Sequence, residues 1–411
     1  MPDPDVFLTS PVRIGSGSVS PRSLSSRPPQ WPSPPPAWLW RSGLQLPVVP
    51  SCVVGVRVGR ELSTARSGGL SWVVHRFGKA WRICESTPIT VDMRENLELE
   101  LRHNGGAARI VRDSPLRGQA DRAVARGDAA RVLPGVVAAT GVARHVTTLI
   151  QALQLWHRDA TLVGMAALVL LGLENPVTQR RWDYTGIKTI EAFSPTRRLT
   201  RPRIWVHRWH VPHDFTTEDA GVQVAIPEVS VIILAIQGQW DWVCQALRQR
   251  LVTPASCRAA RKALTGRYSK SEVDRALADI DLNPWSIPEL ELARILRAAG
   301  ITGHRPNHEV WVGEENYHYF LDQAFQAEMV DVEMEGRSVH GTPEGYEAMM
   351  LRSAHLEQAG WRILHTTPTM LRRDPKFVLD WIINHLHKRH RPKTTFTNQV
   401  LRQIMNGAIP T

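Results

Sequence analysis

The sequence predicts a mixed chain of the α+β or α/β class. An irregular extension precedes a small head, a mixed middle region and a C-terminal mixed sheet flanked by helices. Three observations predict this. Proline is concentrated at the start, with 12 of 29 falling in the first 50 residues. A helix-and-hairpin pattern begins near Met93. From Ser286 onward the patterned segments run α-β-β-β-α-β-α.

Residues 1–92 contain stretches such as SPRSLSSRPPQWPSPPP. Such composition cannot bury enough apolar surface to offset the entropy of ordering, so disorder is expected. Met93 stands where globular patterning begins, and a chain started there would keep all of the patterned region.

Residues 93–142 read as the head. MRENLELELRHNGG is a helix closed by Gly105, and AARIVRDSPLRGQADRAVARGDAARVLPGVVAA reads as helix, turn, helix and two short strands. Two short helices before a basic hairpin match the winged helix-turn-helix pattern. There the second helix, about Arg117–Arg126, enters the major groove and the hairpin touches phosphates. Arg117, Arg122, Arg126 and Arg131 are the resulting DNA-binding candidates. The same pattern also suits a small helical hairpin with exposed arginines.

Residues 143–285 form a mixed middle region. Residues 145–175 read as two packed helices, 176–232 as short strands, and 228–265 as helices again. The longest apolar run, Ala160 to Leu173, is 14 residues. That is short of the roughly 20 needed to cross a bilayer, so it reads as a buried helix and no membrane anchor is expected. His207, His210 and His213 only loosely resemble a metal site, because every third residue of a strand does not share a face. A structural or surface role is expected for them.

Residues 286–390 supply the last patterned region. SIPELELARILRAAG is an amphipathic helix with Ser286 as N-cap and Gly300 as its stop. HEVWVG, YHYFLDQAF and MVDVEMEG are strands, and GYEAMMLRSAHLEQAG is a helix. WRILHTT is a strand and PKFVLDWIINHLHKRH a helix. Residues 391–411 are expected to be a basic tail, and HLHKRHRPK, which leads into it, is expected to be solvated and able to add sequence-independent phosphate contacts.

The net charge of +11 and a pI near 10.0 point to a polyanionic partner, with nucleic acid first. Cys52, Cys84, Cys244 and Cys257 show no CxxC spacing. Neither a zinc site nor a disulfide framework is indicated, which suits a reducing cytoplasm. The start of the chain lacks the pattern of a standard secretory signal.

One stretch stands out against that basic background. VDVEMEG places Asp331, Glu333 and Glu335 at alternate positions, and so on one face of a strand. Asp322 lies on the preceding strand. If the two strands are antiparallel neighbours, their carboxylates converge, and hard oxygen ligands of that kind suit Mg2+ or Mn2+. A metal there could activate water and neutralise charge on a phosphate under attack. The spacing alone also fits an exposed acidic strand face.

The ordered set YHYFLDQAF, MVDVEMEGRSVHG and LRSAHLEQAGWRIL resembles the very-short-patch-repair-like endonuclease domains of the PD-(D/E)XK superfamily, over about residues 286–386. The resemblance implies a restriction-endonuclease-like fold. It makes Asp322 the first acid and Glu333 the second, with Glu335 in place of the Asp before Gly336. His340 matches the family histidine, Arg352 the helix arginine, and Glu289 an accessory acid on the preceding helix. Gly360 and Trp361 open the last core strand, Trp361 reading as core. Residues 93–265 resemble the AbiEi-antitoxin-type winged-helix heads that are often fused to such domains, which implies DNA binding. Three departures stand out. No lysine follows Glu333 at the signature position, Met349 replaces an aspartate, and Asp331 adds a carboxylate.

The resemblance implies a DNA-binding endonuclease that hydrolyses phosphodiester bonds, with Mg2+ or Mn2+ held by Asp322, Glu333 and Glu335. His340 would be general base or phosphate contact, and Arg352 would stabilise the phosphate. The alternative is a catalytically degenerate antitoxin or transcriptional regulator, which binds DNA without cutting it and whose further partner would be a cognate toxin.

Overall fold

The computed structural model describes residues 95–175, 178, 180, 182–335, 343–386 and 395–407, together with the backbone of three earlier strands. Those strands, β1 (Arg66–Ser67), β2 (Leu70–Phe77) and β3 (Ala80–Glu85), form an antiparallel meander inside the span expected to be disordered. The rest of that span lies outside the described residues.

The head begins with α1 (Glu95–His103), which ends at Gly105 as expected, with φ of +62°. Strand β4 (Ala107–Arg109), helix α2 (Arg117–Arg126), β5 (Ala129–Leu133) and β6 (Val136–Ala139) follow. The strands pair antiparallel in the order β4-β6-β5. Pro134 and Gly135 make the hairpin turn, Pro fixing its own φ and Gly135 taking +71°. The first of the two expected helices is instead β4. Ala107 and Ala108 are fully buried, Ala108 in a cluster with Leu97 and Leu101 of α1 and Ala120 and Ala123 of α2, Ala107 in one with Leu149 and Leu153. Gly127, with φ of +83°, closes α2 through amide bonds to Val124 and Ala123.

Helix α3 (Val146–Trp156) ties the head to the middle region. Leu133 and Val136 of the hairpin share one buried cluster with Leu149 and Leu153 of α3 and with Leu162, Ile190 and Val206 beyond it. The apolar run expected as a buried helix is split into β7 (Thr161–Val163) and α4 (Met165–Leu170). Gly164 between them has φ of +72°, which no helix interior accommodates, and Thr161 and Val163 favour a strand. The strands β8 (Ile190–Ser194), β9 (Leu199–Arg201), β10 (Ile204–Arg208), β11 (Thr216–Asp219) and β12 (Val222–Ala225) complete a mixed six-stranded sheet, ordered β11-β12-β7-β8-β10-β9. Helices α5 (Pro227–Ile236), α6 (Trp240–Arg248), α7 (Pro254–Ala260) and α8 (Lys270–Ile280) pack around it, α5 almost wholly buried.

The C-terminal region opens with α9 (Ile287–Ala298), capped by the Ser286 side chain as expected. Asp279 of α8 accepts bonds from Arg294 and Arg297 of α9 at 2.6 Å each, and so joins the two regions. Next come β13 (Arg305–Val312), β14 (Tyr317–Ala324), β15 (Val330–Met334), α10 (Pro343–Gln358), β16 (Arg362–Thr366), α11 (Pro368–Arg373) and α12 (Pro375–His385). Strands β13 and β14 form an antiparallel hairpin, and β15 pairs parallel with β16. The two ladders meet at one antiparallel bridge, Phe325 to Val330.

Part of the span expected as a basic tail is core. Residues 398–405 form α13 (Asn398–Met405), whose Leu401, Ile404 and Met405 are buried against α9 and α12. Among the described residues no helix is long and apolar enough to cross a membrane.

Candidate active site

Strand β15 has two unlike faces. Val330 and Val332 are buried in the cluster that includes Leu292, Leu379 and Leu401, with Met334 packed against it. Asp331 and Glu333 lie on the other face, at 0% and 3% exposure, with Glu335 next in line and partly buried. The alternation expected from the sequence is therefore present, but the acids are inside the protein.

These acids interrupt the sheet. After the Phe325–Val330 bridge, side chains take the place of ladder carbonyls between β14 and β15. Asp331 Oδ1 accepts the Gln323 amide at 3.0 Å, and Asp322 Oδ2 accepts the Met334 amide at 2.7 Å. Side-chain acceptors competing with backbone partners in this way end regular pairing. The same bonds fix Asp322 and Asp331 across the gap between the ladders.

Helix α10 brings the single guanidinium. Ala, Met, Leu and Glu are good helix formers and fill its length. Gly360, at φ of +93°, stops the chain behind it. Arg352 Nη2 donates to Glu333 Oε1 at 2.5 Å and to the Phe320 carbonyl. Its guanidinium lies 5.7 Å from the Tyr319 ring centroid, and Tyr319 Oη bonds His355 Nδ1 at 2.8 Å.

One cation is too few for these acids. Burial pushes the carboxyls of Asp322 and Glu333 well above the ordinary carboxylate range, and that of Asp331 upward. Repulsion adds to this, from Glu289 and Asp331 at Asp322 and from Asp331 and Asp322 at Glu333, while Arg352 only partly offsets it. Asp331 and Glu333 are near enough to share a proton. Without one, Asp331 Oδ2 is buried and meets no donor among the described residues. Arg352 Nε and both amide atoms of Gln323 are likewise buried without partners there, as is Thr366 Oγ1 on the Met334 side of the β15–β16 pair. Buried polar groups are nearly always satisfied, so Asp331 Oδ2 requires either a proton shared with Glu333 or a bound group.

The other expected residues are placed as follows. Glu289, the accessory acid, is 5% exposed, and its carboxyl is raised by burial. It accepts the Trp285 amide at 2.8 Å and works as a helix cap, while its charge also acts on Asp322. Glu335 is turned to His365, with Oε1 2.8 Å from Nδ1, and His365 Nε2 is 3.0 Å from Ser353 Oγ. His340 lies outside the described residues. Trp361 is core, at 5% exposure.

His365 and Ser353 were not legible beforehand. His365 faces Glu333 in the β15–β16 register, and no local pattern announces that pairing. In the middle region His207 is on β10 and half-buried, whereas His210 and His213 are exposed. Among the described residues no three His, Cys, Asp or Glu side chains are arranged as a ready-made metal cage. At the acids, Arg352 is bonded to Glu333 and His365 to Glu335.

The head's four candidate arginines are all exposed. Arg131 pairs with Asp121, Arg126 Nε bonds Asp128 at 2.8 Å, and Arg117 donates to the Arg112 carbonyl at 3.1 Å. Away from them, a polar cleft of about 770 Å3 lies between α3 and the β11–β12 hairpin, lined in part by Arg109, Arg158 and His213.

The donor chemistry suits a hard divalent cation, which could replace the protons held by the three buried carboxyl groups of Asp322, Asp331 and Glu333. Glu335, held by His365, does not fit as one of its ligands in this arrangement. No protein-family model matches the chain, and no curated protein matches it by sequence.

Proposed function

We propose that the chain binds DNA and hydrolyses its phosphodiester bonds at the Asp322–Glu333 site with Mg2+ or Mn2+, in a C-terminal region of endonuclease-like fold. The observation that carries this reading is the charge imbalance: three carboxyls, Asp322, Asp331 and Glu333, face a single guanidinium. Buried ions left uncompensated cost several kcal/mol each. A purely structural sheet has no need of them.

A divalent cation held by Asp322 and Glu333 would polarise a phosphate and lower the pKa of a bound water. Arg352, whose side chain is 30% exposed, can turn from Glu333 to a phosphate oxygen. The head, read as winged-helix-like, would hold the duplex through Arg117 and Arg122 on α2, with Arg126 and Arg131 freed as DNA competes with Asp128 and Asp121. Such contacts position the protein without reading sequence.

The second reading, a regulator that binds DNA without cutting it, is favoured by the closed Arg352–Glu333 pair and the turned-away Glu335. Incubation of supercoiled plasmid with Mg2+ or Mn2+ separates the two. Nicking that is lost in Glu333→Ala supports the enzyme. Tight DNA binding with no nicking in either metal supports the regulator.

A further inference from the structure

Which carboxylates would hold the ion is decided by what each is already doing. Glu335 was the natural third ligand in the sequence, two positions after Glu333. It is instead one end of a bonded chain, Glu335 Oε1 to His365 Nδ1 at 2.8 Å and His365 Nε2 to Ser353 Oγ at 3.0 Å. Ser353 Oγ is itself 3.0 Å from the Met349 carbonyl of its own helix. That chain anchors Glu335 to β16 and α10, away from the gap between the ladders.

Asp331 is in the opposite condition. It is 0% exposed, its Oδ1 is pinned by the Gln323 amide, and its Oδ2 is buried with no donor among the described residues beyond a proton shared with Glu333. It sits two positions before Glu333 on the same face of β15, and its charge acts on both Asp322 and Glu333. One oxygen fixed by backbone, and the other with only a shared proton that a cation could replace, is the condition of a preorganised ligand rather than of a solvated acid.

We infer that Asp331, not Glu335, is the third carboxylate of the cation site with Asp322 and Glu333, and that Arg352 is the resident counter-ion that a divalent cation displaces from Glu333. Oxygen-only ligation by three carboxylates selects a hard ion of the Mg2+ or Mn2+ class. The Glu335–His365–Ser353 chain then acts as a positioning element, holding β16 against β15 beside the ion. The inference rests on the nuclease reading for the class of ion; the assignment of ligands comes from the bonding pattern.

Binding of Mn2+ to the full chain, measured by calorimetry and by the paramagnetic resonance of the bound ion, tests it. Wild type, Asp331→Asn and Glu335→Gln are compared after denaturant unfolding has shown each to be folded. Asp331→Asn should weaken Mn2+ binding roughly tenfold or more, at least the scale of losing an outer-shell partner. Glu335→Gln, which removes no ligand and keeps a side-chain acceptor for His365, should weaken binding less than Asp331→Asn does. The reverse pattern overturns the inference. So does wild type that takes up no Mn2+ at millimolar concentration, leaving water or protons as the occupants of the gap. Asp331-dependent binding with no plasmid nicking upholds the ligand assignment and sinks the nuclease reading. Undiminished nicking in Asp331→Asn sinks the assignment and leaves the nuclease reading intact.

Discussion

The head and the C-terminal region both carry the charges that a DNA-cutting protein needs, but in opposite ways. On α2 and β5 the arginines are exposed, and two of them, Arg126 and Arg131, already lean on nearby aspartates. On β14 and β15 the acids are largely buried and outnumber their one guanidinium. An exposed charge costs little and therefore says little about function. A buried carboxyl is costly whether it stays charged or has to hold a proton, so its presence demands an account. The C-terminal acids are thus the stronger functional signal, although the head supplied the more familiar sequence pattern.

Substitution should expose that contrast. Arg352→Ala leaves the acids with no cation, and roughly 3 kcal/mol of stability should be lost in denaturant unfolding. A loss below about 1 kcal/mol would mean that the acids are mostly protonated or hydrated and that the imbalance is only apparent.

The second effect is one of pH. Burial pushes His304, whose ring lies 5.6 Å from Phe325, down to about 4. The unfolded chain binds that proton near pH 6.5, the folded one only near 4. Stability from this residue is therefore present above pH 6.5 and lost as pH falls toward 4, by roughly 3 kcal/mol. His304→Phe should flatten that limb of the stability profile. The raised carboxyls act with opposite sign. The folded protein keeps protons that the unfolded chain releases, so stability from them declines as pH rises above the ordinary carboxylate range.

The head should announce itself in salt dependence rather than in stability. Replacing Arg117 and Arg122 together by Ala should reduce the slope of log affinity against log salt by about 2, roughly one per lost phosphate contact. An unchanged slope would remove α2 from the interface. The smallest effect is expected at Arg131→Ala, which breaks an exposed pair with Asp121 and should cost less than about 1 kcal/mol.

Local chemistry made much of the fold legible. The Ser286 cap, the glycine stops at Gly105 and Gly300, the Pro134–Gly135 turn and the two-faced β15 each depend on a few adjacent residues. What was not legible depends on partners distant in the chain. Ala107–Arg109 is a strand because β6 lies beside it, and Asn398–Met405 is a helix with a buried face because α9 receives it. At the site, the acids of β15 could be placed on one face from their spacing alone. Which of them is tied to other side chains could not, because His365 and Ser353 come from β16 and α10 and hold Glu335. Asp331 looked like a departure from a pattern and turned out to be the most deeply buried acid of the group.

The most direct test of the central claim, that these acids are held at a cost for something other than folding, is the unfolding free energy of metal-free Asp331→Asn near pH 7.5. The side chain keeps an oxygen for the Gln323 amide, loses its charge and gains a donor toward the neighbouring carboxylates. Stability should rise by about 1 kcal/mol or more, as when repulsion at a functional site is relieved. A fall of similar size would show that Asp331 is an ordinary structural acid, and would contradict the account.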